Sequence, residues 1–207
     1  MTTEANAHQF NERFTGKDGI MGITGITVTG DIGAGKSTAS KILSRLTGCP
    51  VIDADVIAAE IWKRPEVWGI AAERWGVEEV NKAEISRHIF FDEDENKFCN
   101  ALIHPLVMNE ILERTKNISF VAEIPLLPEA GRPDWAGRVI FVTASFESRA
   151  ERCRVSRGWS YDELKRREKF LLPQNVRKSV ADYVIENESS LSELENKIVK
   201  FLQENCE

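Results

Sequence analysis

The sequence predicts an α/β fold built on a parallel sheet, and three observations carry that prediction. Strand-like runs alternate with helix-like ones along most of the chain. Two of the strand-like runs, residues 118–124 (ISFVAEI) and 138–143 (RVIFVT), are almost continuously apolar, as strands covered on both faces are. Between the first strand-like run and the first helix-like one lies GDIGAGKS, residues 30–37, which matches the phosphate-loop spacing GxxxxGK[ST] at every fixed position.

Residues 22–29 (GITGITVT) are rich in β-branched side chains and are followed by glycines, which predicts a strand running into a tight turn. Residues 37–46 place Ala39, Ile42, Leu43 and Leu46 on one side of a helix. Residues 49–52 are a short apolar run, predicted as a second strand that leads to Asp53-Ala54-Asp55, and residues 56–62 continue as a helix. The texture changes over residues 65–116, where several short helices with charged faces are expected, punctuated by Pro65, Gly76 and Pro105. This stretch reads as a helical insertion into a core formed by residues 21–64 and 117–207. After the two apolar strands, residues 146–156 and 161–171 are helical and crowded with arginine. Residues 183–185 predict a last short strand, and residues 191–202 an amphipathic C-terminal helix. Residues 1–20 are polar and mixed in charge and read as a flexible tail.

At 207 residues and 42% hydrophobic, the chain can bury one good core. Its net charge of −6 argues against coating a nucleic-acid duplex, which needs surplus cations, but leaves room for a locally positive pocket. No apolar run is long enough to span a membrane. Cys49, Cys99, Cys153 and Cys206 are far apart and form no CxxC pair, so reduced thiols in a cytoplasmic protein are expected.

The phosphate loop carries the most specific chemistry. A loop that wraps a phosphate must turn its N–H groups inward, which favours glycine at Gly33 and Gly35, and the helix that follows adds the positive end of its dipole. The expected nucleotide contacts are Asp31, Ile32, Gly33, Ala34, Gly35, Lys36, Ser37 and Thr38. Lys36 can reach the β- and γ-phosphates, and the Ser37 hydroxyl can bind Mg²⁺. At the carboxyl end of the second strand, Asp55 is the candidate base for an attacking hydroxyl, with Asp53 the weaker candidate; either could instead cap the following helix. Arg149, Arg152, Arg154, Arg157, Arg166 and Arg167 flank Gly158-Trp159-Ser160, a hinge-like stretch. Two or three of them are expected to clamp phosphate from a mobile lid over residues 146–172, and the rest to form a solvated face with neighbouring carboxylates. His104 and the tryptophans Trp62, Trp68, Trp75 and Trp135 read, taken alone, as packing residues.

Together, ITVTGDIGAGKST, VIDAD, ALIHPLV, EIPLL, the arginine-rich stretch and ADYVIEN resemble the dephospho-coenzyme A kinase family, in its order of landmarks and over residues 23–202. The resemblance implies a parallel-sheet P-loop NTPase core, a helical acceptor-binding insertion and a helical lid. It implies transfer of the γ-phosphate of ATP, with Mg²⁺, to the ribose 3′-hydroxyl of dephospho-CoA. It assigns Asp55 as base, Lys36 and Arg152 to the transferring phosphate, Arg157 beside Arg152 to ATP, and His104 and Glu123 to the acceptor. A monomer or weak homo-oligomer is expected. Three positions depart from the family pattern: Glu123 where Asp is frequent, Leu171 where Gln is usual (Gln174 is out of register), and Ser156 at a lid-arginine position, with Arg157 beside it. The competing readings are a nucleoside monophosphate kinase, which shares loop and lid, and an ATP-binding regulator that transfers nothing.

Overall fold

A computed structural model of the chain describes residues 25–78 and 81–205. The tail expected at residues 1–20, the first residues of the 22–29 run and Cys206 lie outside them. Five parallel strands form one sheet in the order β2-β3-β1-β4-β5. They are β1 Gly25–Gly30, β2 Val51–Asp53, β3 Phe120–Glu123, β4 Arg138–Thr143 and β5 Tyr183–Glu186. Helices follow the strands throughout, so the strand ends that carry the functional motifs all open on one edge of the sheet.

All six residues of β1 are buried. Its side chains alternate between two cores, as strand geometry requires. Ile26 and Val28 join Val121, Ile140, Val142 and Ile185 under α1 (Lys36–Thr47) and α10 (Leu191–Asn205). On the opposite face Phe120, Ala122, Ile124 and Val139 pack against α2 (Ala54–Ile61), α3 (Pro65–Trp75) and α5 (Glu93–Thr115). Thr27, buried among apolar groups, satisfies its hydroxyl by donating to the Ala136 carbonyl at 2.6 Å. At the end of β1 only glycine fits: Gly30 has φ 140°, and a Cβ there would lie 2.0 Å from the Val142 carbonyl oxygen.

The described residues of 65–115 are helical apart from their connections, with α4 (Lys82–Phe91) between α3 and α5. Several short helices were expected here; instead the last is one 23-residue helix that runs through Pro105. Asp92 caps it by accepting from the backbone N–H groups of Asp94 and Glu95, and acidic residues fill its first turn. Proline removes one backbone donor from the helix. Here Pro105 and Ala101, whose carbonyl loses that donor, are both on an exposed face, where water can replace the lost bond.

The arginine-rich segment forms α7 (Phe146–Arg157) and α8 (Tyr161–Glu168), which meet at Gly158 in the left-handed region at φ 68°. The helix expected to reach residue 171 ends at Glu168, and a further helix, α9 (Gln174–Ser179), follows. The short α6 (Leu127–Ala130) and the 3-10 turn Asp134–Ala136 complete the described elements. Trp62, Trp68, Trp75 and Trp135, read as core residues, are only partly buried; Trp75 stacks on His88 with ring centroids 4.1 Å apart. Cys49, Cys99 and Cys153 are buried free thiols, and burial pushes the Cys99 thiol up to about 12. No helix among the described residues is long and apolar enough to cross a membrane.

Candidate active site

The carboxyl ends of β1, β2 and β3 meet at one large cavity of about 910 Å³. Its floor is the loop between β1 and α1. The loop turns back on itself through Gly33 and Gly35, both at positive φ. It is braced from outside: Asn187, just after β5, donates from Nδ2 to the Ala34 carbonyl at 2.8 Å. Lys36 lies along the floor, with Nζ donating to the carbonyls of Gly30 at 3.2 Å and Asp31 at 3.0 Å. Loss of solvent pulls its ammonium below the usual lysine value. The Glu123 and Asp55 carboxylates oppose that fall, and the Arg157 guanidinium adds to it.

Parallel register sets Asp53 of β2 beside Glu123 of β3. Asp53 caps α2: its Oδ1 accepts from the backbone N–H of Asp55 at 2.8 Å and of Val56 at 3.2 Å. The helix therefore begins at Ala54, earlier than expected, and Asp55 sits in its first turn facing the cavity instead of extending the strand. Glu123 is buried and accepts the Ser37 hydroxyl at 2.8 Å. Burial raises its carboxyl above the ordinary range, while the Ser37 hydrogen bond and the Lys36 charge draw it back. Two residues expected in separate roles, metal binding for Ser37 and acceptor binding for Glu123, are thus direct partners.

The far wall is helical. His104 and Ile103 of α5, Trp62 at the end of α2 and Phe90 of α4 line it. His104 has a buried Nε2 with no hydrogen-bond partner among the described residues, and burial lowers its pKa. The roof comes from α7 and α8. Arg152 reaches the loop, with NH2 donating to the Asn187 carbonyl at 2.7 Å and NH1 to the Ala34 carbonyl at 3.4 Å. Arg157 lies over the Trp159 ring, its Cζ 4.7 Å from the ring centroid, and lines the cavity with Arg167.

Of the residues expected to bind nucleotide, Ile32, Gly33, Gly35, Lys36, Ser37, Thr38, Arg152 and Arg157 line the cavity, as do Asp55, His104 and Glu123. Asp31 and Ala34 do not. The Asp31 carboxylate is fully buried outside the cavity, held by Thr143 and Gln174. Among the other arginines, Arg154 pairs with Glu151 on the surface. Arg149 is buried, donates to the carbonyls of Ala144 and Ile32 and pairs with Glu168. Asn187 and Trp159 border the site without having been assigned a role in it. The Asn of ADYVIEN was the available signal for the first, but nothing local ties it to a loop 153 residues earlier in the chain.

The family model described as dephospho-CoA kinase matches residues 24–193. The chain belongs to the dephospho-CoA kinase family. It is similar to a dephospho-CoA kinase of Thermus thermophilus, with 33% identity over 187 residues that cover 86% of this chain and 90% of the relative. The solved structure of a Thermus thermophilus protein superposes with a TM-score of 0.72 at 30% identity, covering 88% of this chain and 98% of that one. A shikimate kinase from Acinetobacter baumannii shares the fold, with a TM-score of 0.59 at 18% identity and coverage of 90% and 96%. Membership of the dephospho-CoA kinase family makes the chain a kinase with ATP as co-substrate, and the P-loop kinase fold expected from the sequence is the one observed. Neither a nucleoside monophosphate kinase nor a regulator without transfer is favoured by these matches.

Proposed function

We propose that this chain transfers the γ-phosphoryl group of ATP to the 3′-hydroxyl of the dephospho-CoA ribose. The observation that carries the reading is the single cavity that joins the phosphate loop, the Asp55 carboxylate and the His104 face of α5. In this mechanism the loop N–H groups and Lys36 hold the phosphates, and Lys36 exchanges its two carbonyl partners for phosphate oxygens. Asp55 orients the ribose hydroxyl and takes its proton. The hydroxyl oxygen bonds to the γ-phosphorus as the bond from that phosphorus to the β–γ bridging oxygen breaks, leaving ADP. Arg152 and Arg157 neutralise charge spreading over the transferring group. His104, whose buried Nε2 has no partner among the described residues, and Glu123 belong to the acceptor side.

The residues present suit Mg²⁺. Ser37 and Glu123 offer hard oxygen donors at the loop, and a carboxyl whose ionisation burial opposes is one that a cation would restore to its charged form. When bound with ATP, the ion neutralises the phosphate oxygens. ATP consumption measured with dephospho-CoA, with a nucleoside monophosphate and with no acceptor tests the proposal. Dephospho-CoA should stimulate consumption strongly. A larger stimulation by the monophosphate would reassign the acceptor, and consumption independent of any acceptor would remove it.

A further inference from the structure

Asp31 is the second residue of the phosphate loop, yet its side chain serves something other than the cavity. Its Oδ2 accepts from Thr143 Oγ1 at 2.6 Å and Gln174 Nε2 at 2.7 Å, and its Oδ1 pairs with Arg177 NH2 at 2.8 Å. Arg177 is itself buried and belongs to α9, the helix that follows the arginine-bearing pair α7–α8. From the same guanidinium, Nε donates to the Leu172 carbonyl at 2.9 Å. The N–H of Leu172 in turn donates to Glu129 Oε1 at 3.1 Å. Leu172 is therefore held on both of its peptide groups, four residues beyond the end of α8. Its neighbours Phe170 and Leu171 line the cavity.

A guanidinium is a rigid planar fork, so one that hydrogen-bonds one partner and holds a second in an ion pair limits how far the two can separate. Here the two partners are the phosphate loop and the chain segment leaving the roof of the cavity. The loop end continues to Lys36, because the Asp31 carbonyl is one of the two acceptors for Lys36 Nζ. A buried ion pair is a weak device for stability, since desolvating both charges offsets their attraction. Its geometry is what such a pair supplies.

We infer that Arg177 is a positioning residue: acting through Asp31, it fixes the C-terminal hinge of the α7–α8 lid against the phosphate loop, so that ATP in the loop and closure of the lid are coupled. The inference rests on the phosphoryl-transfer reading for its second readout only. Lysine at this position keeps a cation opposite Asp31 but is a point donor, without the separate Nε and NH2 groups that reach Leu172 and Asp31 here.

The test is hydrogen exchange of the full chain, with and without saturating Mg²⁺ and ATP, in wild type, Arg177→Lys, Arg177→Met and Asp31→Asn. In wild type, ATP should slow exchange across residues 158–172 by at least about tenfold, the behaviour of a segment ordered by ligand. In each variant, at matched ATP saturation, that slowing should drop below about threefold, while exchange in β1 and β4 without ATP stays as in wild type. Full protection of the segment in Arg177→Lys, or no ATP-dependent protection in wild type, overturns the inference. If Arg177→Met does not fold, Arg177→Lys decides. The second readout is the ratio of ATP hydrolysed to acceptor phosphorylated, which a leaking lid raises and a purely structural defect leaves unchanged, since both reactions scale with folded enzyme. A wild type that leaves dephospho-CoA untouched would refute the proposed reaction, while the exchange experiment would still decide the role of Arg177.

Discussion

Replacing Lys36 with methionine removes a charge while keeping most of the apolar stem, and the structure gives opposite expectations for stability and for catalysis. In the free protein Nζ makes two hydrogen bonds to loop carbonyls, and Glu123 and Asp55 attract it. Yet its pKa is lowered, with desolvation the largest cause. A lowered value means that this environment favours the ammonium less than water does. Loss of the charge should therefore change folding stability by no more than about 1 kcal/mol, the worth of a typical net hydrogen bond. In the proposed mechanism the balance reverses with ATP bound, because phosphate oxygens replace the carbonyls and negative charge develops beside Nζ. Loss of one such contact costs about 2.7–4 kcal/mol of barrier, or roughly 10²–10³-fold in rate at 1.36 kcal/mol per decade. Thermal unfolding paired with single-turnover transfer to dephospho-CoA checks both halves. A Lys36→Met protein that folds normally and transfers phosphate within a few-fold of wild type would refute the assignment of the loop as the reacting site. A protein that simply unfolds would refute the electrostatic argument.

Asp55→Asn should lose about 10²–10⁴-fold in single-turnover rate, the range for a positioned base, with ATP affinity preserved; a wild-type rate would move the role elsewhere, Glu123 being the next carboxylate to replace. Asp53→Ala should instead lose about 0.5–2 kcal/mol of stability, the usual cost of an N-cap, readable as a lower denaturation midpoint. For pH, Lys36 in the free protein releases its proton below the ordinary lysine value, whereas bound phosphates favour the ammonium and raise that value. Between the two, ATP binding takes up a proton, so affinity should fall by up to about tenfold per pH unit as pH rises through the free protein's lowered value. Calorimetry in buffers of different ionisation enthalpy would detect the uptake, and its absence would separate Lys36 from the phosphates. Gly30→Ala meets the Val142 carbonyl at 2.0 Å in a backbone region that alanine rarely adopts; loss of soluble folded protein is expected, and normal melting would show that the loop can move away from β4.

What the sequence made legible was local or periodic. The apolar runs of β3 and β4, the glycine spacing of the phosphate loop and the amphipathic spacing of α10 each declare an element within a dozen residues. The cavity-facing residues of the loop and Asp55 were legible because the loop motif and a carboxylate at a strand end name their chemistry at short range. Long-range partnerships were not. That Asp31 faces away from the cavity follows from Gln174 and Arg177, more than 140 residues downstream. That Arg149 is structural follows from its buried bonds to Ala144 and Ile32; in sequence it is one of six similar arginines. Pro105 reads as a breaker, and only its exposed place beside Ala101 shows why the helix continues. Helices of four and six residues, α6 and α9, hold too few apolar positions to show a period.

The identity of the acceptor, and of the atom that receives phosphate, defines the proposed reaction. The most direct measurement is to incubate the protein with Mg²⁺, ATP and dephospho-CoA, determine the mass of the product and locate its new phosphate by nuclear magnetic resonance. One added phosphoryl group is expected, on the ribose 3′-oxygen, matched mole for mole by ADP. Unchanged dephospho-CoA alongside ready phosphorylation of a nucleoside monophosphate, or a phosphate at any other oxygen, would contradict it.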